Sequence, residues 1–292
     1  MKADQLSHTA AFVAIKFYGL TRIPSFRRMF DEQTITFYEN LVQTLPGPLR
    51  YYHFWLKYRL IRKLYIWSEE LLLPGDLLHI LARKWYLQRM CDQLIAEGYK
   101  QVLVLGAGFD HLALRYANMG LSCIEFDAPY MAEQKHSFYR NYYPDSKHPT
   151  ICSAFLPEHR LEDLLRDHAD IDPVKKTIVL AEGFFDYLEG GTIRDILQQL
   201  QASFKTPPAL LSTHFALDEL PVVHQWVFKS SVRMVGERLK FRASMNSFRQ
   251  LLADNGYRIT HSLDSRALAE DLKTNIDTKL PLLKGFYIFR AE

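Results

Sequence analysis

The chain is short of what several protein classes require. Among its 292 residues only Cys91, Cys123 and Cys152 are cysteines, and no two form a CxxC pair. That excludes a disulfide framework and a zinc ribbon and fits a reducing compartment. No H-E-x-x-H segment or Cys/His cluster occurs, so no metal is expected. Apolar runs span only a few residues, too few for a spanning helix or integral membrane association. The start, MKADQLSHTA, lacks the charged-then-apolar pattern of a secretion signal, and a cytoplasmic protein is expected. Repeats, low-complexity tracts and Gly/Ser linkers are also missing. What remains is 48% hydrophobic and 13% aromatic. A chain of this length buries roughly 75% of its extended surface, which means one large core rather than disorder.

Acidic residues are lacking from one stretch in particular. Residues 1–100 carry 14 Lys and Arg against 9 Asp and Glu, whereas residues 101–292 carry 22 against 24. Within 40–68 there is no acid, but Arg50, Lys57, Arg59, Arg62 and Lys63 alternate with Tyr51, Tyr52, Phe54, Trp55, Tyr58, Tyr65 and Trp67.

Texture changes near Gly98. Before it, spacings such as Phe54, Tyr58, Ile61, Tyr65 and Leu77, Leu81, Trp85 predict helices, punctuated by Pro24, Pro46, Pro48 and Pro74. After it, short apolar runs alternate with longer periodic segments, as in parallel strands joined by crossover helices. The predicted strands are 101–105, 121–126, 150–154, 177–181, 209–214, 257–262 and 285–290, with helices at 110–118, 129–140, 158–167, 191–203 and 247–255. Residues 263–283 read as a loop with one helix. The expected organisation is a helical cap or lid at 1–97 on a core at 98–292, integrated as one domain.

The sharpest local feature is Val102-Leu-Val-Leu-Gly106-Ala-Gly108-Phe-Asp110, a strand running into a glycine turn, with Asp110 a candidate helix N-cap. Such a turn is either a plain strand-to-helix connection or a place where backbone passes a ligand. The next strand ends in Glu125-Phe-Asp127, 19 and 21 residues past Gly106, where a carboxylate can accept from both ribose hydroxyls. His111 stands where the dinucleotide fingerprint requires its third glycine, and no GK[ST] follows. A ligand with adenosine but no phosphates fits best, and S-adenosylmethionine is the commonest such cofactor.

At this point the sequence resembles the leucine carboxyl methyltransferase family of class I S-adenosylmethionine-dependent methyltransferases. Leu105-Gly-Ala-Gly-Phe-Asp110 is similar to its LGAGFD turn, Glu125-Phe-Asp127-Ala-Pro129 with Lys135 to its E-x-D-x-P-x5-K signature, and Ala181-Glu182-Gly183 with Tyr187-Leu188 to its AEG-x3-YL segment. The resemblance implies a Rossmann-like α/β fold: a seven-stranded, mostly parallel sheet with an N-terminal helical cap. It further implies that Gly106 and Gly108 pass the methionine portion of the cofactor, that Asp127 holds the ribose and that Glu182 receives the amino group. Arg83, 23 residues before Gly106, is the candidate for the methionine carboxylate, with Arg89 as fallback. Where the family has an aspartate contacting adenine, this chain aligns Ser153-Ala154-Phe155-Leu156, so Phe155 can flank the purine but cannot accept a hydrogen bond from its amine.

The implied activity is O-methylation of a carboxylate, or a hydroxyl, on a small molecule or a chain terminus. A carboxylate acceptor needs no general base at neutral pH, in keeping with the lack of a recognisable triad. For a hydroxyl acceptor, His111 and His214 lie nearest to predicted strand ends. Tyr187 and His214 are candidates for the acceptor pocket. Two other readings are a non-catalytic cofactor-binding sensor, motivated by Phe155, and a nucleic-acid methyltransferase, motivated by the basic aromatic stretch. The near-neutral charge of +3 weighs against nucleic acid. That stretch is expected to pack as a lid over the acceptor pocket, its aromatics excluding water and residues 50–63 attracting an anionic acceptor. A membrane-surface helix is the competing reading, set aside because Tyr51, Tyr52 and Phe54 spread around the helix.

Overall fold

Residues 5–156, 158–234 and 238–292 are described by a computed structural model. The first third is helical: α1 (His8–Thr21), α2 (Pro24–Arg27), α3 (Glu32–Thr44), α4 (Tyr51–Trp55), α5 (Arg59–Leu72) and α6 (Asp76–Ala96). The starts of α1 and α3 are set by side-chain caps, Ser7 accepting from the N–H of Ala10 and Asp31 from that of Thr34. No glycine or proline interrupts the 21 residues of α6, which closes just before Gly98.

Strands and helices then alternate: β1 (Gln101–Leu105), α7 (Leu112–Asn118), β2 (Ser122–Asp127), α8 (Pro129–Tyr142), β3 (Thr150–Ser153), α9 (Leu161–Asp167), β4 (Thr177–Ala181), α10 (Gly190–Ser203) and β5 (Ala209–Phe215). They are followed by α11 (Val222–Met234), α12 (Met245–Asp254), β6 (Ile259–Leu263), α13 (Ser265–Asn275) and β7 (Phe286–Ala291). The strands form one seven-stranded sheet in the order β3-β2-β1-β4-β5-β7-β6. All neighbours from β3 to β5 are parallel, while β7 runs antiparallel between β5 and β6.

β1, β4 and β5 are buried along their whole length, because helices cover both faces. Alternation then sorts the side chains. Val102 and Val104 join an apolar cluster with Ala14, Phe17, Tyr38 and Leu81 from α1, α3 and α6, whereas Leu103 and Leu105 join Ile193, Leu197 and Phe248 on the other face. The N-terminal helices thus pack directly on the sheet.

Every strand falls within two residues of its expected position, and 263–283 holds the single helix α13. Two helices start later than the sequence suggested, α7 at Leu112 and α9 at Leu161. In α7 the N-cap position is taken by His111, not Asp110. Asp110 still serves that end, since its Oδ1 accepts from the N–H of Leu112 at 2.7 Å. Among the described residues no helix is long and apolar enough to cross a membrane.

Candidate cofactor site

A cavity of about 400 Å³ opens where β1, β2, β3 and β4 end. In an open α/β sheet this is where ligands bind, outside the carboxyl ends of the strands and beside the switch in strand order, here between β1 and β4. Its walls are the turns that leave the strands: Gly106 to Asp110, Asp127 with Ala128, Ala154 to Leu156, and Glu182 to Phe184. Ser7, the N-cap of α1, and Ala10, Val13 and Ala14 within that helix roof it, with Tyr38 of α3 and with Arg83 and Lys84 of α6 at its side. The size is ordinary for a small-molecule site.

The glycine turn is held from two directions. Gly106 and Gly108 adopt φ of 62° and 46°, in the left-handed region that favours glycine. A Cβ on Gly106 would stand 2.5 Å from Cδ2 of the Phe184 ring. From β2, Asp127 Oδ2 accepts from the N–H of Gly108 at 2.5 Å and Oδ1 from that of Ala128 at 2.7 Å. One carboxylate therefore ties the turn after β1 to the end of β2 and lines the cavity as well.

Across the cavity lies a cluster of four charged groups. Lys84 Nζ donates to Asp110 Oδ2 at 2.7 Å and to Glu182 Oε2 at 2.9 Å, and all three side chains are nearly closed to solvent. Burial works against the charge on Lys84, but the two carboxylates outweigh it and lift its pKa above the usual lysine range. Burial likewise pushes the Asp110 carboxyl up, and Lys84 more than reverses this, leaving it well below the usual carboxylate range. Arg83 Nε stands 2.6 Å from Glu182 Oε1 without hydrogen-bond alignment, so both atoms are buried and unsatisfied. A guanidinium and a carboxylate left in this state beside a cavity suit the carboxylate and ammonium of an amino acid.

A second ion pair lies outside the cavity. Glu125 on β2 accepts from Lys135 Nζ at 2.6 Å and from Tyr139 Oη at 3.3 Å, with the two charged side chains 1% and 2% exposed. Pro129 starts α8 at its first turn, where proline is favoured, and so delivers Lys135 beneath β2. The E-x-D-x-P-x5-K pattern thus divides its acids: Glu125 faces into the protein and Asp127 faces the cavity.

The cavity brings together seven of the residues singled out as cofactor contacts: Arg83, Gly106, Gly108, Asp127, Phe155, Leu156 and Glu182. Tyr187 lines it too. Arg89 does not, because its guanidinium lies over Trp85 at 4.5 Å. His214 also stays out: fully buried, it contacts Asp186 Oδ1 through Nδ1 at 3.0 Å and the Ala243 carbonyl through Nε2 at 2.8 Å. It anchors the segment after β4, which carries Tyr187, and does not line the cavity. His111 is likewise sealed, with Nδ1 3.4 Å from the Tyr38 hydroxyl, and burial lowers its pKa to about 4.

The expected lid is a larger departure. No residue of 40–68 lines the cavity; α1 covers it instead. Residues 51–67 lie outside α1 and leave Tyr51, Phe54, Trp55, Tyr58 and Trp67 exposed, so they do not cover the cavity. Sequence reasoning also missed Lys84, Tyr38, α1, Lys240 and Glu158. Lys84 had a signal, because it lies in register with Leu77, Leu81 and Cys91 on the buried face of α6, a place where an ammonium needs partners. The roof had none, since nothing local ties Ala10 or Val13 to a turn nearly a hundred residues away.

Residues 69–201 match the family model for leucine carboxyl methyltransferase. No curated protein sequence matches the chain. In three dimensions it is similar to a DUF574 family protein from Streptomyces avermitilis MA-4680, with a TM-score of 0.58 at 12% identity over 80% of this chain and 90% of that one. It is also similar to a methyltransferase described as putative from Thermobifida fusca YX, with a TM-score of 0.55 at 14% identity over 80% and 88% of the two chains.

Proposed function

We propose, from the match of residues 69–201 to the leucine carboxyl methyltransferase family model, that this chain is an S-adenosylmethionine-dependent O-methyltransferase acting on a carboxylate. The observation that carries the reading is the pairing of Asp127 on one side of the cavity with Arg83 and Glu182 on the other. All three come from the matched stretch, and between them they supply a partner for ribose hydroxyls, a carboxylate and an ammonium.

Bound there, S-adenosylmethionine supplies a sulfonium methyl group, electrophile and leaving group in one. The protein's own work is to hold and exclude. Arg83 would take the methionine carboxylate and Glu182 the ammonium, each exchanging a misaligned contact for an aligned one. Lys84 stays behind Glu182 and Asp110, bridging the two carboxylates. The roof residues Ala10, Val13 and Ala14 are apolar and keep water from the reacting centre. Phe155 and Leu156 form an apolar wall for the purine, and the exposed Glu158 also lines the cavity near this edge.

At the other edge stand Tyr187, Glu189, Thr192 and Lys240. Lys240 is exposed and lies 3.4 Å from Glu189. It is the cation an anionic acceptor would meet on entry, the role that sequence reasoning assigned to residues 50–63. A carboxylate acceptor is already ionised at neutral pH, so alignment and desolvation supply the catalysis and no side chain need take a proton. The buried state of His111 and His214 is in keeping with that.

Titration calorimetry with S-adenosylhomocysteine tests the site. Asp127→Ala should weaken binding at least tenfold, since hydrogen bonds to a charged group contribute about 1.5–3 kcal/mol each. Unchanged affinity refutes the assignment. Incubating the intact chain with methyl-labelled S-adenosylmethionine and a panel of carboxylic acids separates catalysis from sensing. Label transfer supports the enzyme; tight binding with no transfer to any acceptor supports a non-catalytic sensor.

A further inference from the structure

Helix α5 is built inside out. Its body-facing side carries Tyr65, Ile66 and Glu69, the last paired with Lys16 of α1 at 2.7 Å. Its outward side carries Leu60, Leu64, Trp67 and Leu71, a helical stripe in which every member is at least 59% exposed. Ile61 and Leu72 widen the stripe, and Phe54, Trp55 and Tyr58 extend it across α4 and the turn that follows. Between the two helices a shallow apolar groove runs past Trp55, Ile61, Leu64 and Trp67. A surface of this kind on a soluble chain marks a contact with something else.

The charges around it indicate what. Arg50, Lys57, Arg59 and Lys63 are all exposed, and the stretch 40–68 holds no acid to oppose them. The nearest acids on α5 are turned away, Glu69 toward Lys16 and Glu70 toward the N–H of Gly75. A second copy of the chain docking face to face would set these cations against their own equivalents, which is unfavourable. RNA would suit the cations and the rings, but Leu60, Ile61, Leu64, Leu71 and Leu72 offer no ring to stack on a base. Aliphatic side chains in the centre, Trp and Tyr among them and a single positive sign at the edge together describe the contact face of an interfacial helix.

We propose that α4 and α5 form a docking surface for an anionic phospholipid bilayer, with Leu60, Leu64, Trp67 and Leu71 entering the acyl boundary and Lys57, Arg59 and Lys63 meeting the headgroups. The surface is joined to the cavity through one helix. Tyr18 of α1 donates to the carbonyl of His53 at 2.9 Å, and Gly19 packs against Leu56 and Tyr65. The same helix roofs the cavity with Ala10, Val13 and Ala14. Docking therefore brings the cavity roof within one helix of the bilayer.

Co-sedimentation of the intact chain with vesicles tests the proposal. The chain should pellet with phosphatidylcholine–phosphatidylglycerol vesicles and not with phosphatidylcholine alone, with a blue shift of tryptophan emission. Lys57→Gln, Arg59→Gln and Lys63→Gln should each weaken binding roughly fivefold, the effect of about 1 kcal/mol per basic residue near a charged surface. Leu64→Ser with Trp67→Ser should abolish it, while circular dichroism and S-adenosylhomocysteine affinity stay unchanged because both side chains are largely exposed and neither lines the cavity. Three results overturn it: no binding to anionic vesicles, equal binding by the substituted chains, or a dimer or RNA complex that forms through this face while vesicles are ignored.

Discussion

Two buried ion clusters stand on the same sheet with the same chemistry and different surroundings. Lys84, Asp110, Glu182 and Arg83 border the cavity, and one of their contacts is close but misaligned. Glu125, Lys135 and Tyr139 are sealed behind β2, with every contact inside the protein. A buried ion pair is weak evidence for stability, because desolvation offsets most of the Coulomb gain. The sealed pair can therefore be exchanged for apolar residues, while the bordering cluster keeps its charges for a zwitterionic ligand.

Breaking the bordering cluster should have the largest effect. Lys84→Met leaves Asp110 and Glu182 buried with less compensation, and chemical denaturation should report a loss of about 3–5 kcal/mol. A loss within error would mean that the carboxylates are relieved by solvent from the cavity. Gly106→Ala comes next, because the new methyl meets Phe184 and the residue must hold a positive φ. Denaturation should show about 1–3 kcal/mol lost, together with weaker binding of S-adenosylhomocysteine. Phe155→Asp should act the other way and more modestly, supplying an acceptor for the purine amine and tightening binding about fivefold, near 1 kcal/mol. Calorimetry that reads equal or weaker affinity would place the purine elsewhere.

The sealed pair should give the smallest change and the sharpest contrast. Glu125→Leu with Lys135→Met should leave cofactor affinity at the wild-type value and shift the unfolding midpoint by only a few degrees. It should also change the pH profile. Burial pushes the Glu125 carboxyl up to about 7 against the pull of Lys135. The folded state then binds more protons than the unfolded chain between pH 4.5 and 7, so this group's contribution declines as pH rises through that window. His111 acts in the opposite sense: with its pKa held near 4, its contribution grows as pH rises toward 6.5. Removing the sealed pair should leave the rising limb exposed in denaturation curves measured across pH 4–7, and a profile that does not change would show that Glu125 is ionised throughout.

Legibility in the sequence followed the range of the interaction. Val102 to Asp110 reads as strand, turn and helix because an apolar run, two glycines and an acid act on near neighbours. Asp127 and Glu182 were legible as motif positions and Arg83 by its distance from Gly106, and all three line one cavity. Alternation puts Glu125 and Asp127 on the same face of β2, and only depth along the strand separates them: Asp127 ends the strand at the cavity, while Glu125 lies two residues further in, against Lys135. His214 ends in an apolar strand just as a pocket residue does, and only the approach of Asp186 and Ala243 closes it off.

By itself the sequence determined the strands, the crossovers between them, the glycine turn and the carboxylates at the strand ends, since each depends on periodicity or backbone freedom within a few residues. Tertiary structure alone decided which helix became the roof. Composition pointed to the aromatic stretch of α4 and α5, yet α1, with its small residues Ala10 and Ala14, fits against the glycine turn. Close packing admits the helix whose surface matches the cavity's edge, and it leaves the aromatic, basic face of α5 turned outward.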